Sequence, residues 1–183
     1  MGVALAWAVH VSVGFCLGAA AIGKMLDFPS FARTLRLLLN AGPRPARILG
    51  VAVIVGEFFV ALYLISGAAS LVPNITALAW LVALVAVSMV ALVTRIDIPC
   101  SCFGASAKPL GRGTLPLALI LSAGQGAFVL RETIAGLARP AVDEMVAIWA
   151  LGLVLIAAYR LIAVTPTCIA IVSQRRHLRG GAA

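Results

Sequence analysis

The chain is short of charge. Charged residues make up 11% of its 183 positions, and only six are acidic. Soluble domains carry about 25% charged residues, so an ordinary water-soluble enzyme is excluded. Histidine occurs twice and aromatics reach 7%. His10 and His177 are too far apart in sequence to suggest a haem pair or a dense metal site. There is no phosphate-binding glycine loop, no His-Glu-x-x-His and no nucleophile elbow, which removes the common hydrolase and nucleotide chemistries. The basic residues are not interleaved with aromatics, so nucleic acid is not an expected partner.

What is present is apolar. Hydrophobic residues make up 63% of the chain, and the mean hydropathy is +1.13. At about 20 apolar residues per crossing, the length suits four to five transmembrane spans. The apolar runs predict spans at about 3–24, 48–72, 75–94, 114–131 and 144–164. They are apolar all round, as lipid-facing helices are, and lack the alternation of barrel strands. The expected fold is an all-α polytopic bundle forming one domain over 1–173, with lipid around it and a basic tail at 174–183. The first run is long and no basic residue precedes it, so it reads as a retained helix rather than a signal peptide.

Between the first two spans, Phe31, Leu35, Leu38 and Leu39 recur at helical spacing, with Arg33 and Arg36 elsewhere on the wheel. Pro29 and Ser30 suit the start of this segment, and Gly42-Pro43 its end. It reads as a short amphipathic interfacial helix.

The net charge of +8 is a topology signal here. Lys24, Arg33, Arg36, Arg44 and Arg47 follow span one. Arg95, Lys108 and Arg112 follow span three. Arg160, Arg175, Arg176 and Arg179 end the chain. These twelve of the fourteen cations share one side, and only Arg131 and Arg139 take the other. The positive-inside rule predicts an outside N-terminus and a cytoplasmic C-terminus in a bacterial-type plasma membrane.

Four cysteines are the main chemical resource. Cys100 and Cys102 stand one residue apart in Ile98-Pro99-Cys100-Ser101-Cys102-Phe103-Gly104. Alternate residues of an extended chain lie about 6.5–7 Å apart, beyond the about 5.5–6 Å of a relaxed disulfide, so a bridge between them requires a bent backbone. Strained, accessible disulfides tend to be labile or catalytic. Arg95, Lys108 and Arg112 favour a thiolate, and Asp97 opposes it. Metal binding and inert turn residues are the alternatives; a structural zinc wants four ligands, which the chain does not offer at ligand spacing. Cys168 follows the last span as either a resolving thiol or a plain interfacial cysteine. Cys16 sits inside Gly14-x-x-x-Gly18, a frame for close helix packing.

Glu57 lies deep in span two, where a charge is expensive and has to be protonated, paired or directed at a polar cavity. Counting 1.5 Å per residue puts Gln125 at a similar depth, which makes it a candidate partner; a proton-relay role for Glu57 is the functional reading. His10 reads as a hydrogen-bonded packing residue or a proton carrier. Lys24 is expected to snorkel to the interface or to pair with Asp27.

Three segments resemble the MauE family, methylamine-utilisation membrane proteins of the broader DoxX-like group. They are Gly18-Ala19-Ala20-Ala21-Ile22-Gly23-Lys24 followed by Asp27 and Phe31, then Val55-Gly56-Glu57-Phe58-Phe59, and, most specifically, Cys100-Ser101-Cys102-Phe103-Gly104. The resemblance extends to about Leu130. It implies a membrane protein of thiol–disulfide chemistry acting beside a thioredoxin-like protein; a larger membrane complex is a further expected partner. Family members are thought to help form the disulfides of methylamine dehydrogenase. One of Cys100 and Cys102 would attack a partner disulfide and the other would resolve it, with electrons passed to a second thiol pair or, by analogy with other small membrane dithiol enzymes, a quinone. Two other function classes compete, namely a non-catalytic subunit or assembly factor and a metal- or solute-binding membrane protein. The charge map sets the cysteine pair on the cytoplasmic side, whereas stable disulfides form outside that membrane.

Overall fold

A computed structural model describes residues 3–67, 70–93, 115–136, 140–141 and 143–158. The described residues are helical with no strand, in agreement with the expected fold. Five helices are α1 (Val3–Leu26), α2 (Phe28–Leu39), α3 (Pro43–Ile65), α4 (Leu71–Val93) and α5 (Leu115–Ala135). Residues 143–158 form a further helical stretch. Among the described residues, four helices, α1, α3, α4 and α5, are long and apolar enough to cross a membrane.

The apolar runs locate these helices but misplace some ends. The run at 48–72 is cut at Ile65, because Ser66 and Gly67 form a turn and Gly67 takes a φ of +66°, which favours glycine. That helix instead begins at Pro43, whose fixed φ suits a first helical position. Gly42 and Pro43 therefore open α3 rather than closing α2. The end of α2 is made by Asn40 in the left-handed conformation (φ 47°), with its N–H donating to Arg36 O. The fourth run, short at 114–131, continues through Arg131 and Glu132 to make 21 residues. The fifth, at 144–164, is helical over 143–158, and its remainder lies outside the described residues.

α1 is the hub. In its most apolar stretch 67% of residues are buried, against 22–33% for α3, α4 and α5. It runs antiparallel to α3, and Gly14 is the closest approach. A Cβ there would stand 2.9 Å from Leu64 Cβ and 3.1 Å from Ala61 O, so the expected close-packing frame is used against α3. α5 packs antiparallel on the other side of α1, through Cys16 and Leu17 against Leu117 and Leu121. Residues 143–158 run parallel to α1, where Ser12 Oγ donates to Gly152 O at 3.2 Å. Asn74 Nδ2 donates to Glu132 Oε2 at 2.6 Å and ties α4 to α5.

This alternation puts the end of α1, all of α2, the start of α3, the end of α4 and the start of α5 at one end of the bundle. The outer faces keep large apolar side chains exposed, including Phe59, Val72 and Val93. Such contiguous apolar surface is uncommon on soluble monomers and suits a lipid solvent.

Candidate functional site

The described site with the most concentrated charge is a buried knot of Lys24, Glu57 and Trp80. Lys24 lies in the last turn of α1. Helical Cα–Cβ bonds tilt toward the N-terminus, so its long side chain reaches back into the bundle. Its Nζ lies 2.5 Å from both Glu57 Oε1 and Oε2. Trp80 Nε1 of α4 donates to Glu57 Oε1 at 2.9 Å. The Lys24 ammonium also stands 5.5 Å from the centroid of the Phe31 ring, within cation–π range. Lys24 and Glu57 are 4% and 5% exposed.

Local sequence explains how three helices converge there. Gly56 makes space for the indole, since a Cβ at Gly56 would lie 3.1 Å from Trp80 Cη2. Phe31 and Leu35, with Phe28, turn the apolar side of α2 onto Ala21 and Ile54. α2 thus covers the end of the α1–α3 pair and shuts water away from the ammonium. A buried pair of this kind loses solvation on both sides, which close geometry and an added hydrogen bond offset.

Two expectations change. Lys24 neither snorkels outward nor needs Asp27 for its charge, because a full carboxylate is within reach inside the bundle. Gln125 is not the partner of Glu57. It faces His10, whose Nδ1 lies 3.3 Å from Gln125 Oε1. The first turns of α3 lie beyond the end of α1 and pack on α2, with Gly50 facing Phe28 and Leu35, so Glu57 falls within reach of a lysine in the last turn of α1. The available signal was charge complementarity: span two had a buried acid, and Lys24 was the nearest cation attached to another span.

His10 is fully buried. It stacks on Phe128 at 4.1 Å and meets Trp7 edge-on at 5.5 Å. Its Nε2 and Gln125 Nε2 find no hydrogen-bond partner among the described residues. The packing reading therefore describes its surroundings. Cys16 is buried beside Val13 and Leu17 in the core of α1.

Cys100, Cys102 and Cys168 lie outside the described residues, as do Arg95, Asp97, Lys108, Arg112 and His177. Among the described residues, no three His, Cys, Asp or Glu side chains cluster as a metal site would require. The carboxylate oxygens of Glu57 are already held by an ammonium and an indole N–H. Chemically the knot is a charge clamp between α1, α3 and α4.

No curated protein and no solved structure matches the chain significantly. The family profile described as Methylamine utilisation protein MauE matches residues 2–131. That stretch takes in the α1–α3–α4 knot and the Cys-x-Cys segment, and covers most of the chain. The protein therefore belongs to the MauE family and is an integral membrane protein of helical-bundle type.

Proposed function

We propose that this protein is a membrane thiol–disulfide redox protein, or the membrane accessory of one, working through Cys100 and Cys102 with a thioredoxin-like partner. The observation that carries the reading is the Cys100-Ser101-Cys102-Phe103-Gly104 segment, which falls inside the family match. Its setting supports it. α4 and α5 pack side by side and antiparallel, so the chain between them starts and finishes at one end of the bundle. That end also holds α2 and the last turn of α1 with Lys24.

The exchange balances as follows. A thiolate of the pair attacks the partner's disulfide; the partner's S–S bond breaks and a mixed disulfide forms. The second cysteine attacks that bond, releases the partner as a dithiol and leaves Cys100 and Cys102 joined. Run in reverse, the disulfide of the pair oxidises the partner's dithiol, and the two electrons gained pass on to a second cysteine pair in its disulfide form or to a quinone. Cys168 is a candidate resolving thiol. Glu57 serves as the proton relay in this reading, and Lys24, in direct contact with both its oxygens, is the group it exchanges with.

The double variant Cys100→Ser/Cys102→Ser tests the reading. It should insert and fold as the wild type while abolishing thiol–disulfide turnover of the partner. If turnover persists, the protein acts as a non-catalytic subunit or assembly factor.

A further inference from the structure

An apolar groove of 540 Å³ runs along the outside of the bundle between α1, the start of α2 and α3. Ile22, Met25, Phe28, Val51, Val55 and Phe58 line it. Among the described residues, its lining contains no cysteine. What distinguishes it from the rest of the apolar surface is its upper end. Residues four apart lie on one helix face, so the stripe Phe58, Val55 and Val51 continues toward the start of α3 onto Arg47. Arg44, seven residues before Val51, falls on the same stripe. At 1.5 Å per residue the two guanidinium-bearing positions stand about 6 Å and about 10 Å beyond Val51 along the axis. Both arginines are exposed. Neither makes an ion pair with an acid among the described residues.

We infer that this groove binds an anionic glycerophospholipid, one acyl chain lying on Val51, Val55 and Phe58 and the phosphate resting on Arg47 and Arg44. The chemistry is complementary at both ends. The groove wall offers a chain almost no polar surface. Arginine presents a planar fork suited to phosphate oxygens. The spacing matches a lipid whose phosphate sits just above its acyl region. Among the described residues, the site lies at the end of the bundle that holds Lys24, Arg33 and Arg36 as well, where a leaflet rich in anionic lipid strengthens the attraction. A zwitterionic lipid fits the groove equally well but gains less from the arginines, since its own ammonium opposes them.

Native mass spectrometry of the full chain released from bilayers of equimolar phosphatidylglycerol and phosphatidylcholine tests this. The wild type should retain phosphatidylglycerol preferentially, by roughly fivefold for each arginine engaged. Arg44→Gln/Arg47→Gln should bring the two lipids to parity. Arg175→Gln/Arg176→Gln, which removes the same charge from the tail, should keep the preference. Val55→Trp, which fills the groove without changing charge, should lower total bound lipid. Equal retention of both lipids by the wild type would overturn the inference. So would an equal loss of preference in the tail variant, or unchanged lipid retention in Val55→Trp.

Discussion

Lys24 and Glu57 are 33 residues apart in sequence, yet the ammonium of one touches both carboxylate oxygens of the other inside the helical bundle. The contact joins the last turn of α1 to the middle of α3, and Trp80 extends it to α4.

Removing one partner should cost far more than removing both. Lys24→Met or Glu57→Gln strands a buried polar or charged group, and breaking such a pair destabilises by about 3–5 kcal/mol. Lys24→Met/Glu57→Gln should recover much of that loss. Thermal unfolding in detergent of the four proteins of this cycle measures the coupling. Additive losses would show that the pair is not energetically joined.

Trp80→Phe keeps the ring but deletes the indole N–H that reaches Glu57 Oε1. A hydrogen bond to a charged group contributes about 1.5–3 kcal/mol. The variant should therefore melt well below the wild type, and the same substitution in a Glu57→Gln background should cost less.

Gly14 and Gly18 look equivalent in sequence but not in space. A Cβ at Gly14 meets Leu64 Cβ at 2.9 Å and a backbone oxygen at 3.1 Å, whereas at Gly18 the nearest atom is Ala61 Cβ at 3.6 Å. Gly14→Ala should destabilise by about 1–3 kcal/mol through overpacking, and Gly18→Ala should be close to neutral. Paired melting curves decide between them.

His10 and Gln125 each leave a buried nitrogen without a partner among the described residues. Replacing one residue alone strands the other further, at about 1–3 kcal/mol. His10→Phe/Gln125→Leu removes both polar groups from an aromatic pocket already formed by Trp7 and Phe128. The double variant should be at least as stable as either single variant, and a double variant less stable than both would contradict this.

The helical class was legible because the five apolar runs lack strand alternation, and without a barrel only helices satisfy backbone groups in lipid. The amphipathic helix was legible because Phe31 and Leu35 repeat at the helical period with arginines between them. The junctions were not. Ser66-Gly67 interrupts one apolar run without any polar residue large enough to register in hydropathy, and Pro43, a residue that commonly ends helices, here begins one. Glu57 announced itself as a site because a lone carboxylate deep in a span needs a partner. Its partner was not legible because α3 extends past the end of α1 onto α2, an offset between helices that hydropathy does not encode. The Cys-x-Cys pair lies inside the family match from residue 2 to 131 and outside the described residues.

Trapping of the mixed disulfide is the most direct measurement of the proposed chemistry. Single variants Cys100→Ser and Cys102→Ser are mixed with a thioredoxin-like partner in its disulfide form, with both of its cysteines retained, and complexes are separated without reductant. One of the two single variants should accumulate a reducible cross-link to the partner, and the double variant should form none. If neither single variant captures the partner while the double variant supports full turnover, Cys100 and Cys102 do not carry the exchange.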